Sequence, residues 1–165
     1  ALEKLFESWV WDRRGEVPPG HEPWYELPVF CKHAEKLLVA FVRRFIVSAE
    51  RHDDVPALSD EQRQALDLLQ DLSVDPNLSL AMDFRQGDIQ FINNYAIMHS
   101  RAGYVDHDEP DKRRHLLRLW LAAENGWALP ESFYARYPGR TAIGRPAGIR
   151  TATTRLQASL DPRAP

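Results

Sequence analysis

Apolar and polar residues change their spacing several times along the 165 residues, and each change marks an expected element. Positions 2, 5, 6, 9 and 10 are apolar at a helical interval, which predicts a short amphipathic helix over 2–11. Residues 13–23 contain Gly15, Pro18, Pro19, Gly20 and Pro23 and read as a loop. Over 24–31 aromatic and aliphatic residues alternate as in a strand, and Pro28 places it at an edge or a bulge. From 32 to 52 the spacing is helical again, with Ala34, Leu37, Leu38, Phe41, Val42, Phe45 and Ile46 in one stripe. After a break at Pro56, Ser59 precedes Gln62 by three positions, the form of a capping box. It opens a helix over about 60–72, apolar at Ala65, Leu66, Leu68, Leu69 and Leu72.

Beyond Asp75-Pro76-Asn77 the interval falls to two. Residues 78–85 alternate with Leu80, Met82 and Phe84 on one face, Gln86-Gly87-Asp88 is a turn signal, and 89–93 and 96–98 are further extended pieces. A charged loop over 105–112 precedes the clearest strand, 114–121. Pro130 suits the first turn of a short helix within 122–138. The tail from Gly139 has five arginines against one aspartate and is expected to be irregular or laid along a partner surface. Helices first and short strands afterwards suggest an α+β fold with an antiparallel sheet or barrel, an all-helical fold being the weaker alternative.

Length fits one domain. A net charge of −3 gives no global attraction for nucleic acid. The apolar run beginning at Leu37 stops at Arg43, far short of a membrane span. The start has no signal-peptide pattern, lacks a methionine and opens in mid-pattern, which suggests a fragment or a processed product. A single cysteine, Cys31, excludes a disulfide framework and suits a reducing cytoplasm.

The chemistry concentrates in 83–121. Along 114–121, Arg114, Leu116, Arg118 and Trp120 share one face of a strand, and His115, Leu117, Leu119 and Leu121 share the other. Two guanidinium groups beside a tryptophan suit a site that receives carboxylates. Spacing alone also allows, and favours, a solvated edge paired to Asp106, Asp108, Glu109 or Asp111. His99 closes the extended piece before the loop; a lone histidine is more often a surface or core residue than a ligand, and neither His107 nor His115 pairs convincingly with it. His52-Asp53-Asp54 has the form of two legs of a His-carboxylate triad, but its position at a helix end suits solvation and the helix dipole better.

Gly87-Asp88, Asn93-Asn94, His99-Ser100-Arg101, Asp106 and Arg114-His115-Leu116-Leu117-Arg118-Leu119-Trp120-Leu121 together resemble the C-terminal signature of the iron(II)/2-oxoglutarate dioxygenases of the taurine dioxygenase and clavaminate synthase-like superfamily. The resemblance covers roughly 1–150. It implies a partial double-stranded β-helix (jelly-roll) with flanking helices: 1–150 as the C-terminal portion of the domain, with a helical insertion at about 32–73, and 151–165 as an irregular tail. It implies Fe(II) and 2-oxoglutarate as cofactors and dioxygen as a further reactant, with a C–H bond of a small, anionic molecule hydroxylated and succinate released. His99 would be the distal iron ligand, Arg114 would hold the far carboxylate of 2-oxoglutarate, and Arg118 would meet an anionic group, the two arginines forming the cofactor-binding pair. The family's His-x-Asp or His-x-Glu ligand pair has no counterpart here in the right context. The chain alone is therefore expected to be inactive, with a missing N-terminal segment or a second copy covering open strand edges. The reading from a different class is a non-catalytic interaction or structural domain that keeps the fold without the metal.

Overall fold

The structure, a computed structural model, describes residues 2–149 and 151. The described residues form an α+β arrangement, but the strands come first. A 3-10 turn over Glu3–Phe6 leads into β1 (Ser8–Asp12), which pairs antiparallel with β2 (Trp24–Pro28) in the register Ser8↔Pro28 to Asp12↔Trp24. β3 (Phe30–His33) pairs antiparallel with β4 (Lys36–Val39), followed by α1 (Arg43–Val47), a 3-10 turn over Ser48–Arg51 and α2 (Asp60–Val74).

The helix expected over 2–11 is therefore a 3-10 turn and a strand. The reason lies in Trp9 and Trp11, which at an interval of two both face inward and are almost wholly buried. Trp9 Nε1 donates to the Lys4 carbonyl (2.9 Å) and Trp11 Nε1 to the Leu27 carbonyl (2.8 Å), so each large ring is buried with its polar atom satisfied. Trp11 also stacks on Tyr25 with centroids 6.1 Å apart. The strand expected over 24–31 is present as β2 and the start of β3, broken at Val29, and Pro28 sits at the end of β2.

The helical stripe expected from 32 to 52 is corrected in its first half. Ala34 and Glu35 both have positive φ (46° and 59°), which closes a tight turn between His33 and Lys36 and makes 30–39 a hairpin. Neither residue is a usual choice for that conformation, so the local signal was weak. Helix begins only at Arg43. α2 forms as expected: Ser59 Oγ accepts from the Gln62 amide (3.2 Å) and Gln62 Oε1 from the Ser59 amide (2.9 Å). It buries Ala65, Leu66 and Leu69, while Leu68 and Leu72 stay exposed.

These elements enclose one core in which Trp9, Trp11, Leu27, Val29, Leu38, Ile46 and Leu66 are buried. The C-terminal part contributes Phe133, on a 3-10 turn over Glu131–Tyr134 that Pro130 caps from outside. Arg13 fastens that part. Its guanidinium is buried against Tyr25 and donates to the carbonyls of Glu22 (3.0 Å), Arg136 (3.1 Å) and Ala135 (2.8 Å).

Among the described residues, no strand ladder forms in 78–85, 89–93, 96–98 or 114–121, where strands were expected. These pieces join no ladder, and a strand exists only where its backbone groups find a partner. The expected turn at Gln86-Gly87-Asp88 is present, with Gly87 at φ 93° and the Asp88 amide donating to the Arg85 carbonyl (3.0 Å). Tyr95 anchors the stretch: its carbonyl accepts from the Val39 amide (2.8 Å) and its ring meets Phe133 edge-on. From Gly139 the chain makes one isolated bridge, Arg140↔Pro146; of the expected 151–165 tail, all but Thr151 lies outside the described residues. Among the described residues no helix is long and apolar enough to cross a membrane.

Candidate functional site

The loop between His99 and Arg118 is shaped by one carboxylate. Asp106 Oδ1 accepts from the His107 amide (3.1 Å) and from the Arg114 amide (2.8 Å), closing the loop across eight positions. Inside it, Arg113 donates to the carbonyls of His107 and Asp108 (3.1 and 3.0 Å), and Pro110 opens a short 3-10 turn over Pro110–Lys112. Arg114 is thus fixed by its backbone while its side chain is left to lie over Tyr104, Cζ 5.2 Å from the ring centroid. Arg101 occupies the same ring at 4.6 Å. The local acids therefore hold Arg114 through its amide rather than neutralise its guanidinium.

His99 is exposed, and among the described residues no hydrogen bond or ion pair joins it to Arg114 or Arg118. Arg118 is exposed in the same way, between Leu117 and Leu119, which are also exposed (61% and 83%). The structure does not bring the three residues into one enclosed site. Among the described residues no three of His, Cys, Asp and Glu gather as a metal group. His107 and His115 are exposed as well.

The His52-Asp53-Asp54 run has a structural use. His52 ends the 3-10 turn over Ser48–Arg51, and its Nε2 lies 3.4 Å from Asp12 Oδ1; Asp54 Oδ2 accepts from Trp24 Nε1 (3.1 Å). Asp12 is the centre of this group and is fully buried. Its Oδ1 accepts from the Arg14 amide (2.7 Å) and from Arg51 Nη2 (3.0 Å). Its Oδ2 lies 3.0 Å from Arg51 Nε as an ion pair, although the N–H is not aimed along the line a hydrogen bond requires. Burial pushes the Asp12 carboxyl up, but the Arg14 amide, the Ser48 hydroxyl, His52 and Arg51 together outweigh it and hold it below the usual carboxylate range. Sequence reasoning missed this group and Arg13. The available signal was the charged pair Asp12-Arg13 directly after two buried tryptophans, at the point where a strand turns.

Burial raises the phenol of Tyr25 to about 12 and also raises the Cys31 thiol, so neither ionises near neutrality. Neither is a reactive centre on that ground.

Over residues 1–120, the sequence profile of the taurine catabolism dioxygenase TauD, TfdA family matches the chain. A protein described as FR-33289 synthase, from Streptomyces rubellomurinus, is 33% identical over 140 residues, which are 82% of this chain and 40% of that protein. A taurine hydroxylase-like protein, SAT17, from Stachybotrys chartarum is 32% identical over 134 residues, 79% of this chain and 33% of that protein. The chain thus spans less than half the length of either relative. No solved structure matches it.

Proposed function

The chain belongs to the taurine catabolism dioxygenase TauD, TfdA family, and on that premise we propose that it is the C-terminal portion of an iron(II)/2-oxoglutarate-dependent oxygenase with a double-stranded β-helix fold. The proposed reaction hydroxylates a C–H bond of a small anionic molecule: one atom of dioxygen enters the substrate and the other enters succinate, as 2-oxoglutarate loses carbon dioxide. The observation that carries this reading is the order His99, Asp106, Arg114, Arg118 within the residues matched to the family. His99 is proposed as one iron ligand, Arg114 as the donor to the far carboxylate of 2-oxoglutarate, and Arg118 as a donor to an anionic group. Residues 1–150 are the proposed extent of this portion, and a reducing cytoplasm its proposed compartment.

The described residues do not fit an iron ion by themselves. A stable mononuclear site of this type takes two histidines and a carboxylate, and among the described residues His99 belongs to no such group of three. No chemical step is therefore assigned to a metal on this chain. The proposed source of the ligand pair is a segment outside this sequence, and the exposed apolar side chains of 116–121 support a partner that covers them. The exposure of His99 favours one other reading, a non-catalytic interaction domain that keeps the scaffold without the metal.

Succinate release in the presence of iron(II), 2-oxoglutarate and oxygen separates the two. The chain alone is expected to give none. A polypeptide extended by a segment bearing His-x-Asp or His-x-Glu is expected to give it, and to lose it on His99→Ala. An extended protein that binds no iron and releases no succinate overturns the oxygenase reading and leaves the interaction domain, whereas turnover that survives His99→Ala overturns His99 as an iron ligand.

A further inference from the structure

Away from that stretch, three arginines from three separate segments gather on one ring. Arg14 in the loop after β1, Arg44 on α1 and Arg136 after the 131–134 turn place their Cζ atoms 5.7, 5.5 and 5.6 Å from the centroid of Phe45. Arg14 and Arg44 are exposed; Arg136 and Phe45 are half-buried. Among the described residues, none of the three guanidinium groups has a carboxylate within ion-pair range. Their neighbours in sequence differ: Arg43 pairs with Asp67, Arg51 with Asp12 and Arg140 with Glu131. Glu16, whose charge acts on Tyr25 and Tyr137, pairs with none of the three.

The convergence is held in place rather than left to side-chain drift. The buried Asp12 carboxylate accepts from the Arg14 amide (2.7 Å), and the buried Arg13 guanidinium donates to the Arg136 carbonyl (3.1 Å). Arg44 rides on α1, which packs against β1. The fold's least exposed charged pair therefore fixes the backbone of two of the three arginines. An aromatic ring attracts a cation by about 0.5–1 kcal/mol at an exposed site. Three cations this close to one ring, however, also repel one another, and an anion beside them would weaken that repulsion.

We propose that the surface around Phe45 is a binding site for a phosphoryl group, held by Arg14, Arg44 and Arg136. Guanidinium forks match phosphate oxygens in pairs, and three guanidinium groups from three segments suit a group with three terminal oxygens better than a planar carboxylate with two. Free phosphate and a phosphorylated small molecule present the same chemistry. The site is independent of the reading of His99, Arg114 and Arg118.

Isothermal titration of the 165-residue chain with inorganic phosphate, and separately with glycerol 3-phosphate, at ionic strength matched by chloride, tests the site. Saturable binding is expected for one or both; tighter binding of the ester identifies a phosphorylated molecule as the ligand, and tighter binding of inorganic phosphate identifies the free ion. Each of Arg14→Gln, Arg44→Gln and Arg136→Gln is expected to weaken binding about threefold, and the Arg14→Gln/Arg44→Gln pair about tenfold. Arg85→Gln, a control on the exposed stretch, is expected to leave it unchanged. If the paired variant fails to fold by circular dichroism, the single Arg44→Gln decides. Absence of saturable binding, or affinity that Arg44→Gln does not change, overturns the proposal.

Discussion

Two halves of this chain with similar apolar content have opposite fates. Between Leu5 and Leu69 the apolar residues meet one another and supply all but one of the fully buried hydrophobic side chains; the exception is Phe133. Between 78 and 123 none is fully buried, although Leu80, Phe91, Leu119 and Trp120 are as apolar as anything in the core. The difference is not local propensity. The first region pairs consecutive strands, so each strand's partner lies no more than 20 positions away. The second has alternating segments for which nearby sequence supplies no partner, and alternating apolar residues without a partner have no face to bury. Double-stranded β-helices pair strands distant in sequence, so the contrast agrees with the proposed family role.

The sharpest way to break the comparison is a pair of identical substitutions. Leu66→Ala should lower the unfolding free energy by about 3 kcal/mol, as a buried leucine does. Leu119→Ala, at 83% exposure, should change it by less than about 0.5 kcal/mol. Urea unfolding of both variants checks this. A cost at Leu119 close to that at Leu66 would mean that the stretch is covered in solution and that the two regions are one core.

Next in size is the clamp between the first region and the C-terminal part. Arg13→Met keeps an apolar stem but leaves the carbonyls of Glu22, Ala135 and Arg136 without their donor. About 2 kcal/mol should be lost, since buried acceptors are left unsatisfied. Hydrogen exchange should rise at the Phe133 and Ala135 amides. Unchanged exchange there would show that Phe133 alone docks the segment.

How much of this was legible depended on the reach of each interaction. The α2 start was readable because both capping partners lie three residues apart. The turn at Gly87 was readable because only glycine suits its positive φ. The 30–39 hairpin was hidden, because Ala34 and Glu35 carry no turn signature and Leu37, Leu38 and Phe41 fit a helical stripe equally well. The strand at 8–12 was hidden because Leu2, Leu5, Phe6, Trp9 and Val10 fit a helical interval while Trp9 and Trp11 fit an interval of two. At the candidate site, His99, Arg114 and Arg118 were found through resemblance to a family, since spacing alone favoured a solvated edge. The Asp12 group joins residues some 40 positions apart, and no local rule reaches that far.

Asp12 also gives the fold a dependence on pH. Its carboxyl titrates below the usual range in the folded chain, so its contribution is complete above about pH 4, the unfolded value, and is lost as the pH falls through the lower folded value. Stability should therefore drop on acidification below about pH 4, and Asp12→Asn should flatten that part of the curve. Thermal unfolding between neutral and acid pH measures both. An Asp12→Asn curve as steep as the parent's would assign the acid sensitivity to other carboxylates.

The smallest effect tests whether the two regions are independent. Ser59→Ala removes the hydroxyl that accepts from Gln62, and an N-cap of this kind is worth about 1 kcal/mol. The loss is bounded because Glu50 supports the same helix start, accepting from the Leu58 amide and pairing with Arg63. Ser59→Asp should restore most of it, since an aspartate oxygen caps equally well and its charge suits the helix N-terminus. Within 78–121 nothing hydrogen-bonds to α2 except through the chain connection at Asp75, whose carbonyl accepts from the Leu78 and Ser79 amides. Limited trypsin digestion should therefore cut after Arg85, Arg101 and Arg113 at the same initial rate in the parent and in Ser59→Ala, while urea reports the cost to the core. Faster cutting in the variant would show that the exposed stretch draws its order from α2, and would place the boundary between the two regions upstream of Asp60.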